Sequence, residues 1–252
     1  MRIAHISDIH CNIGNDFNEK MFDRATKLLN KINSDFVFIS GDLTTWGLLP
    51  EYELAEEKLK QINGKLVVVP GNHDERNLGF KLFPEFFGDT DFIHDFDGLK
   101  LVGLASSEPD KDDGRLGRGR HKIIEKAIKQ DNKLTIIGLH HHIIPVPNSG
   151  REKNIIEDAG ETLDIILKNK VPLVLMGHRH VPWGVKIHET LLVNAGTFSC
   201  NRTRAHFGNT FNIIDIKDDE IEVSTVNINK EKTKKMINFD LKKRLCSNKY
   251  YC

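Results

Sequence analysis

The chain has no excess of charge: 36 Lys and Arg residues balance 36 Asp and Glu residues over 252 positions. A protein that works mainly by holding nucleic acid shows a basic excess, so nucleic acid enters here only as a substrate. No apolar run approaches the ~20 residues needed to cross a bilayer, and no membrane span is expected. The first ten residues carry one early Arg and turn polar by Ser7 and Asp8, without the apolar stretch of a signal peptide. Cysteine is also scarce. Cys11, Cys200, Cys246 and Cys252 make no CxxC pair and no regular framework. That excludes a disulfide scaffold, and free thiols in a reducing cytoplasm are the expectation.

What is present is ordinary for a globular protein, with 39% hydrophobic and 29% charged residues. A chain of this length buries a core without staples. No repeat or low-complexity linker divides it. One domain is expected over residues 1–229, followed by a lysine-rich C-terminal tail, 230–252, that shows no apolar stripe and is read as peripheral and partly helical. Nothing in the sequence decides between a monomer and a homodimer.

Apolar runs alternate with helical periodicity through the first half. Ile3 to Ile6, Phe36 to Ile39 and Leu66 to Val69 read as buried strands. The spacing of Phe17, Met21, Ala25, Leu28, Leu29 and Ile32 predicts an amphipathic helix. Residues near Glu51 to Ile62, His121 to Ile128 and Ile155 to Leu167 read as further helices, and Leu134 to Leu139 and Pro172 to Met176 as further strands. Asp97-Gly98 joins two short strands in a hairpin. Short strands dominate from Val185 onward. Continuous apolar strands between helices describe sheets covered on both faces.

The informative feature is what ends each buried strand. Asp8-Ile9-His10 follows the first and Gly41-Asp42 the second. Gly71-Asn72-His73-Asp74 follows the third, His140-His141-His142 the Leu134 strand, and Gly177-His178-Arg179-His180 the Pro172 strand. In an open α/β sheet the carboxyl ends of the strands form the ligand crevice, so five strand ends deliver Asp, Asn and His to one place. Each piece alone is a weak motif, and Asp42 by itself could be a helix cap. Helix capping gives no reason for oxygen and imidazole donors at all five. Such donors, without cysteine, suit Mn, Fe or Zn. They outnumber the needs of one tetrahedral ion, and two ions ~3.5–4 Å apart would suit phosphoester hydrolysis.

At these residues the sequence resembles the calcineurin-like metallophosphoesterases, and within them the branch that includes class III cyclic nucleotide phosphodiesterases. The five blocks occur in order over roughly residues 1–200. The resemblance implies a four-layer αββα sandwich of two mixed β-sheets flanked by helices. It implies two divalent metal ions, manganese the first choice in vitro. Asp8, His10 and His180 would hold one and Asn72, His140 and His178 the other, with Asp42 bridging. His141 is the alternative to His140. It further implies in-line attack on a small phosphodiester by a metal-bridging hydroxide, with His73 as general acid oriented by Asp74. Phosphomonoester, phosphoprotein or nucleic-acid hydrolysis are the alternatives within the family, and a non-catalytic scaffold of the same fold is the alternative outside it. Substrate choice is expected in loops 44–50, 106–120 and 143–152. Arg202 and Arg204 are either phosphate contacts or a solvated edge, and Trp46 and Trp183 are read as packing residues, with a wall of the substrate pocket as the alternative.

Overall fold

The computed structural model describes residues 1–131, 133–151, 154–217, 219–242 and, for the backbone, 245–246. In chain order its elements are β1 (Arg2–Ile6), α1 (Glu19–Leu29), β2 (Phe36–Ile39), α2 (Leu49–Leu59), β3 (Leu66–Val68), α3 (Gly79–Phe87), β4 (Phe92–Phe96) and β5 (Leu99–Gly103). There follow α4 (Gly117–Gln130), β6 (Leu134–Gly138), α5 (Ala159–Lys168), β7 (Leu173–Met176), β8 (Trp183–Ile187) and β9 (Thr190–Asn194). The chain continues through β10 (Thr210–Lys217), β11 (Glu220–Asn227), β12 (Lys232–Asp240) and β13 (Leu245–Cys246).

The strands make two sheets, one in the order β13-β12-β11-β10-β1-β2-β3 and the other β4-β5-β6-β7-β9-β8. Both are mixed. β1, β2 and β3 run parallel while β10 to β13 are antiparallel. In the second sheet β5, β6, β7 and β9 run parallel between antiparallel edges β4 and β8.

Period-2 alternation of side chains places the cores. Phe36 and Phe38 turn inward, where Leu101, Ile136 and Leu175 of the other sheet meet them. Their neighbours Val37 and Ile39 face outward and pack with Phe22 of α1 and Tyr52 of α2. On the far side Val102, Ile137 and Val174 pack with Ile124 of α4 and Ile166 of α5. The layers are therefore helices, sheet, sheet, helices, as the resemblance implies. α1 begins where Asn18 Oδ1 accepts from the Met21 N–H at 2.9 Å, which satisfies one orphan donor of its first turn.

The structure adds one helix to the expected elements and corrects one expectation. α3 is a helix that the sequence hides. Pro84 lies inside it and lacks the N–H that an interior position supplies, yet Phe83 is fully buried and the Phe86 and Phe87 rings pack at a tilt against Tyr52. The correction concerns the expected tail. Lys232–Asp240 is a strand of the seven-stranded sheet, and Met236, Ile237 and Phe239 enter the inter-sheet core. Residues 243–244 and 247–252 of the expected tail lie outside the described residues.

The parallel strands carry the site. β1, β2 and β3 pair in register, and so do β6 and β7, so the loops that follow them leave the two sheets at one common edge.

Candidate active site

Two donor clusters share one carboxylate at that edge. In the first, His180 Nε2 lies 3.2 Å from Asp8 Oδ1 and 3.2 Å from His10 Nε2. In the second, His140 Nε2 lies 3.1 Å from Asn72 Oδ1 and 3.2 Å from His178 Nδ1, which is itself 3.0 Å from Asn72 Oδ1. Asp42 Oδ2 stands between them, 3.5 Å from His10 Nε2 and 3.4 Å from His140 Nε2. All seven residues that the sequence nominates for metal are thus brought together. Three residues from three strand ends, Asp42, His140 and His178, present their donor atoms within 4.8 Å of one another.

The backbone bends to make this possible. Asp8, His10, Asp42, His178 and His180 all have φ between 53° and 71°, a region that costs a non-glycine residue of order ~1–3 kcal/mol and collects at functional sites. Gly41 and Gly71 let two of these loops touch. A Cβ on Gly71 would stand 2.2 Å from Asp42 Oδ1, and one on Gly41 2.6 Å from the Gly71 nitrogen.

Carbonyls behind the imidazoles fix their orientation, as they do for metal-ligating histidines. His140 Nδ1–H donates to the Ser40 carbonyl at 2.6 Å, and His180 Nδ1–H to the Arg202 carbonyl at 2.7 Å. His141 is placed differently. Its Nδ1 meets Ser106 Oγ at 2.9 Å and its Nε2 meets the Asp112 carbonyl at 3.1 Å, so both ring nitrogens are engaged outside the clusters. His140 is the member of the triple that faces Asp42.

His73 lines the cleft beside the clusters. Its backbone N–H donates to Asp42 Oδ1 at 3.0 Å, and its Nδ1–H donates to the Thr45 carbonyl at 2.7 Å, which leaves Nε2 uncommitted by that bond. The expected orientation of His73 by Asp74 is corrected here. Asp74 is fully buried and accepts from the Thr44 N–H at 2.8 Å, Thr44 Oγ1 at 3.0 Å and the Gly71 N–H at 2.9 Å. It ties the Asp42 loop to the Asn72 loop and does not reach the His73 ring.

The charges are interdependent. Burial alone would raise the Asp42 carboxyl, but His140, His73 and His10 hold it well below its ordinary value. Burial opposes a charged His140, yet Asp42, with Asp8 and the Ser40 carbonyl, raises it to about 9. Burial pushes His10, His178 and His73 down, with Asp42 opposing in each case. Burial and then the Asp42 charge push Asp74 up to about 7.

The donor set fits divalent cations. Asp8 Oδ1 is buried without a hydrogen-bond partner, a costly arrangement for a carboxylate oxygen unless a cation answers it. Carboxylate, amide and imidazole atoms converge on two positions either side of Asp42, and Mn, Fe and Zn accept that mixture.

Above the clusters is a cleft of about 260 Å³, walled by Arg76, Arg179, Arg202 and Arg204. Arg202 Nη2 is 3.2 Å from His10 Nδ1, so this arginine borders the cleft, while its side chain stays exposed and pairs with Asp16. Of the expected specificity loops, 106–120 supplies Asp112 to the wall, and Asn154 follows just beyond 143–152. Arg76 and Asp112, ion-paired at 2.5 Å, carry no motif signal. Arg76 could have been suspected from its place two residues after Asp74.

Comparison with known proteins agrees with this geometry. The family model for calcineurin-like phosphoesterases matches residues 1–182. A Coxiella burnetii protein named "probable cyclic nucleotide phosphodiesterase" is 26% identical over 203 residues, 77% of this chain and 82% of its own. An Arcobacter nitrofigilis protein named "probable glycerophosphodiester phosphodiesterase" is 27% identical over 197 residues, 71% and 72% of the two chains. Among solved structures, the purple acid phosphatase of yellow lupin superposes with a TM-score of 0.73 at 16% identity. That match covers all of this chain but 56% of the longer lupin one, and shows the fold. The chain belongs to the calcineurin-like phosphoesterase family, hydrolases that act on phosphoesters.

Proposed function

We propose that the protein is a dinuclear metal-dependent phosphodiesterase acting on small diesters, cyclic nucleotides first among them. Asp8, His10 and His180 would hold one ion and Asn72, His140 and His178 the other, with Asp42 shared between the two. The carrying observation is the position of Asp42 Oδ2, nearly equidistant from His10 Nε2 at 3.5 Å and His140 Nε2 at 3.4 Å. The names of the relatives, phosphodiesterases of cyclic nucleotides and of glycerophosphodiesters, favour a diester.

Two divalent ions bound there would neutralise phosphoryl oxygens and bring a water's pKa toward neutrality. The chain's own groups do the rest. The arginines of the cleft wall attract and orient the anionic diester by charge-assisted hydrogen bonds. His73, anchored through Nδ1–H to Thr45, has Nε2 as the nitrogen that can carry a proton to the leaving oxygen. The anionic diester offsets the burial that otherwise keeps His73 neutral.

One panel tests the substrate: 2′,3′- and 3′,5′-cyclic nucleotides, linear diesters and monoesters under a single manganese condition. A preference for diesters of at least ~10-fold in kcat/KM is expected, equivalent to about 1.4 kcal/mol. Faster monoester turnover would replace this reading with a phosphomonoesterase. Metal analysis that finds fewer than two ions per chain would remove the dinuclear assignment.

A further inference from the structure

Six large hydrophobic side chains are exposed among the described residues: Ile13, Trp46, Leu48, Leu49, Leu78 and Phe80. They are not scattered. Trp46 and Leu48 flank Gly47, Leu78 and Phe80 flank Gly79, and a Cβ on Gly79 would stand 3.0 Å from the Gly47 Cα. Asn77 Nδ2 donates to the Trp46 carbonyl at 2.8 Å across the same junction. Cys11 bridges Thr44 in parallel, which leaves Ile13 and Trp46 each two residues further along neighbouring segments. A contiguous apolar surface of this kind marks an interaction site, whereas isolated exposed residues need no explanation.

Local helix chemistry points the same way. Leu48 and Leu78 occupy the N-cap positions of α2 and α3, and neither makes a side-chain cap bond. Ser, Thr, Asp and Asn are strongly preferred there over Leu. Two neighbouring helices thus give up a cap and place a leucine outward, 62% exposed in the case of Leu78. A rule broken twice on one patch signals a use for the patch.

The surroundings select the occupant. None of the six residues lines the cleft, so the patch is a set of projecting loops and helix starts rather than a groove for an apolar ligand. The Arg76 guanidinium lies over the Trp46 ring at 5.3 Å, and Lys81 Nζ lies over the Phe80 ring at 5.7 Å. Aromatic and leucine side chains with cationic heads held over the rings form the interfacial pattern of proteins that rest on lipid headgroups. Arg76 also pairs with Asp112, so Lys81 supplies the larger share of attraction to anionic headgroups. In a two-fold self-association the patch would meet itself, cation against cation.

We propose that this patch docks the protein peripherally on an anionic lipid surface, with Trp46, Leu48, Leu49, Leu78 and Phe80 entering the headgroup region. Arg76 belongs to both the patch and the cleft wall, so docking brings the cleft mouth beside headgroup phosphates. This inference does not depend on the cleft's substrate.

The test is sedimentation of the full chain with phosphatidylcholine vesicles, with and without phosphatidylglycerol, alongside tryptophan fluorescence. The wild type should pellet with the mixed vesicles and its emission should shift to the blue. Leu48→Ser/Leu78→Ser should partition at least ~10-fold less, the loss expected for two half-buried leucines. It should fold, since serine is a favoured N-cap, and should turn over bis-p-nitrophenyl phosphate at the wild-type rate. Lys81→Gln should weaken binding to the anionic vesicles alone. Failure of the wild type to pellet, or equal partitioning by the double variant, overturns the proposal. So does light scattering that shows a dimer in the wild type and a monomer in the double variant, because the patch would then be covered by a second copy.

Discussion

The loops at the strand ends, which leave both sheets, and the antiparallel strands β10 to β12, which complete one of them, follow opposite rules. Five loop residues of the two donor clusters sit at positive φ, while no residue of β10, β11 or β12 does. The loops bury polar groups: Asp8, His10, His140 and Asp74 are each fully inaccessible. The C-terminal strands bury Phe211, Ile214, Val223, Ile237 and Phe239 and leave Lys232, Lys234 and Lys235 outside. Strain and buried charge are tolerated in one region because relaxed, apolar strands elsewhere hold the sheet. Damage to the loops should therefore appear in chemistry, and damage to the strands in stability.

The strongest test of that division is Asp42→Asn. The amide supplies a weaker oxygen and no charge to either cluster, so both ions should be held less tightly. Activity under limiting manganese should fall by ~10³-fold or more, since a bound metal contributes several kcal/mol. The far-ultraviolet circular dichroism spectrum should not change. Two fully occupied ions in the purified variant would show that Asp42 is not shared, and collapse of the fold would break the contrast between regions.

Phe239→Ala probes the other side. Phe239 is fully buried in the inter-sheet core, and phenylalanine truncation at such sites costs ~3–5 kcal/mol. Urea unfolding should show that loss, while kcat per folded molecule stays near wild type at low temperature. An unchanged midpoint would restore the expectation of a dispensable tail beyond residue 229.

The same contrast explains what was legible in the sequence. The five donor blocks could be read because each follows an apolar run directly, and Asp, Asn and His beside glycine have no structural reason to recur there. The role of Asp74 could not, because its partner Thr44 is set by the contact between two loops. In β12, Val223 pairs with Ile237 and Ser224 with Lys235, so Met236 is an extra residue in a bulge. Met236 and Ile237 are consequently both buried, and the alternation that identifies a strand disappears among lysines. The hidden α3 has the same character: Pro84 argues locally against a helix that aromatic packing sustains.

A more graded effect separates binding from chemistry within the loops. If His73 protonates the leaving oxygen, His73→Ala should lose ~10²–10⁴-fold on esters with alkyl or ribose leaving groups. It should lose much less on nitrophenyl esters, whose leaving group needs no proton. Metal content should stay at the wild-type level, because the seven proposed ligands are unchanged; loss of an ion would instead make His73, whose ring nitrogen lies within 4.8 Å of donor atoms of His10 and Asp42, a metal ligand. Equal losses on both ester types would make His73 an electrostatic contact to the phosphoryl group instead.

The smallest expected effect lies where the two regions join. His5 is in β1, paired with β10 on one side and β2 on the other. Its Nε2 meets Ser40 Oγ at 2.9 Å, and Nδ1 is buried without a hydrogen-bond partner. Burial lowers its pKa to about 3 from the ordinary value of 6.5. The folded protein therefore keeps His5 neutral at a pH where the unfolded chain has already bound a proton. Its stabilising contribution is fully present above pH 6.5 and is lost progressively as pH falls from there toward 3. Between pH 7 and pH 5 the loss should be ~2 kcal/mol. Urea unfolding in chelator at both pH values, compared with His5→Gln, isolates this group, because His140 and the carboxylates titrate in both proteins. The variant should lose ~2 kcal/mol less than the wild type over that interval. Identical slopes would mean that water or a rearranged Ser40 solvates the imidazolium in the native state. The strand and the loop would then yield together at His5.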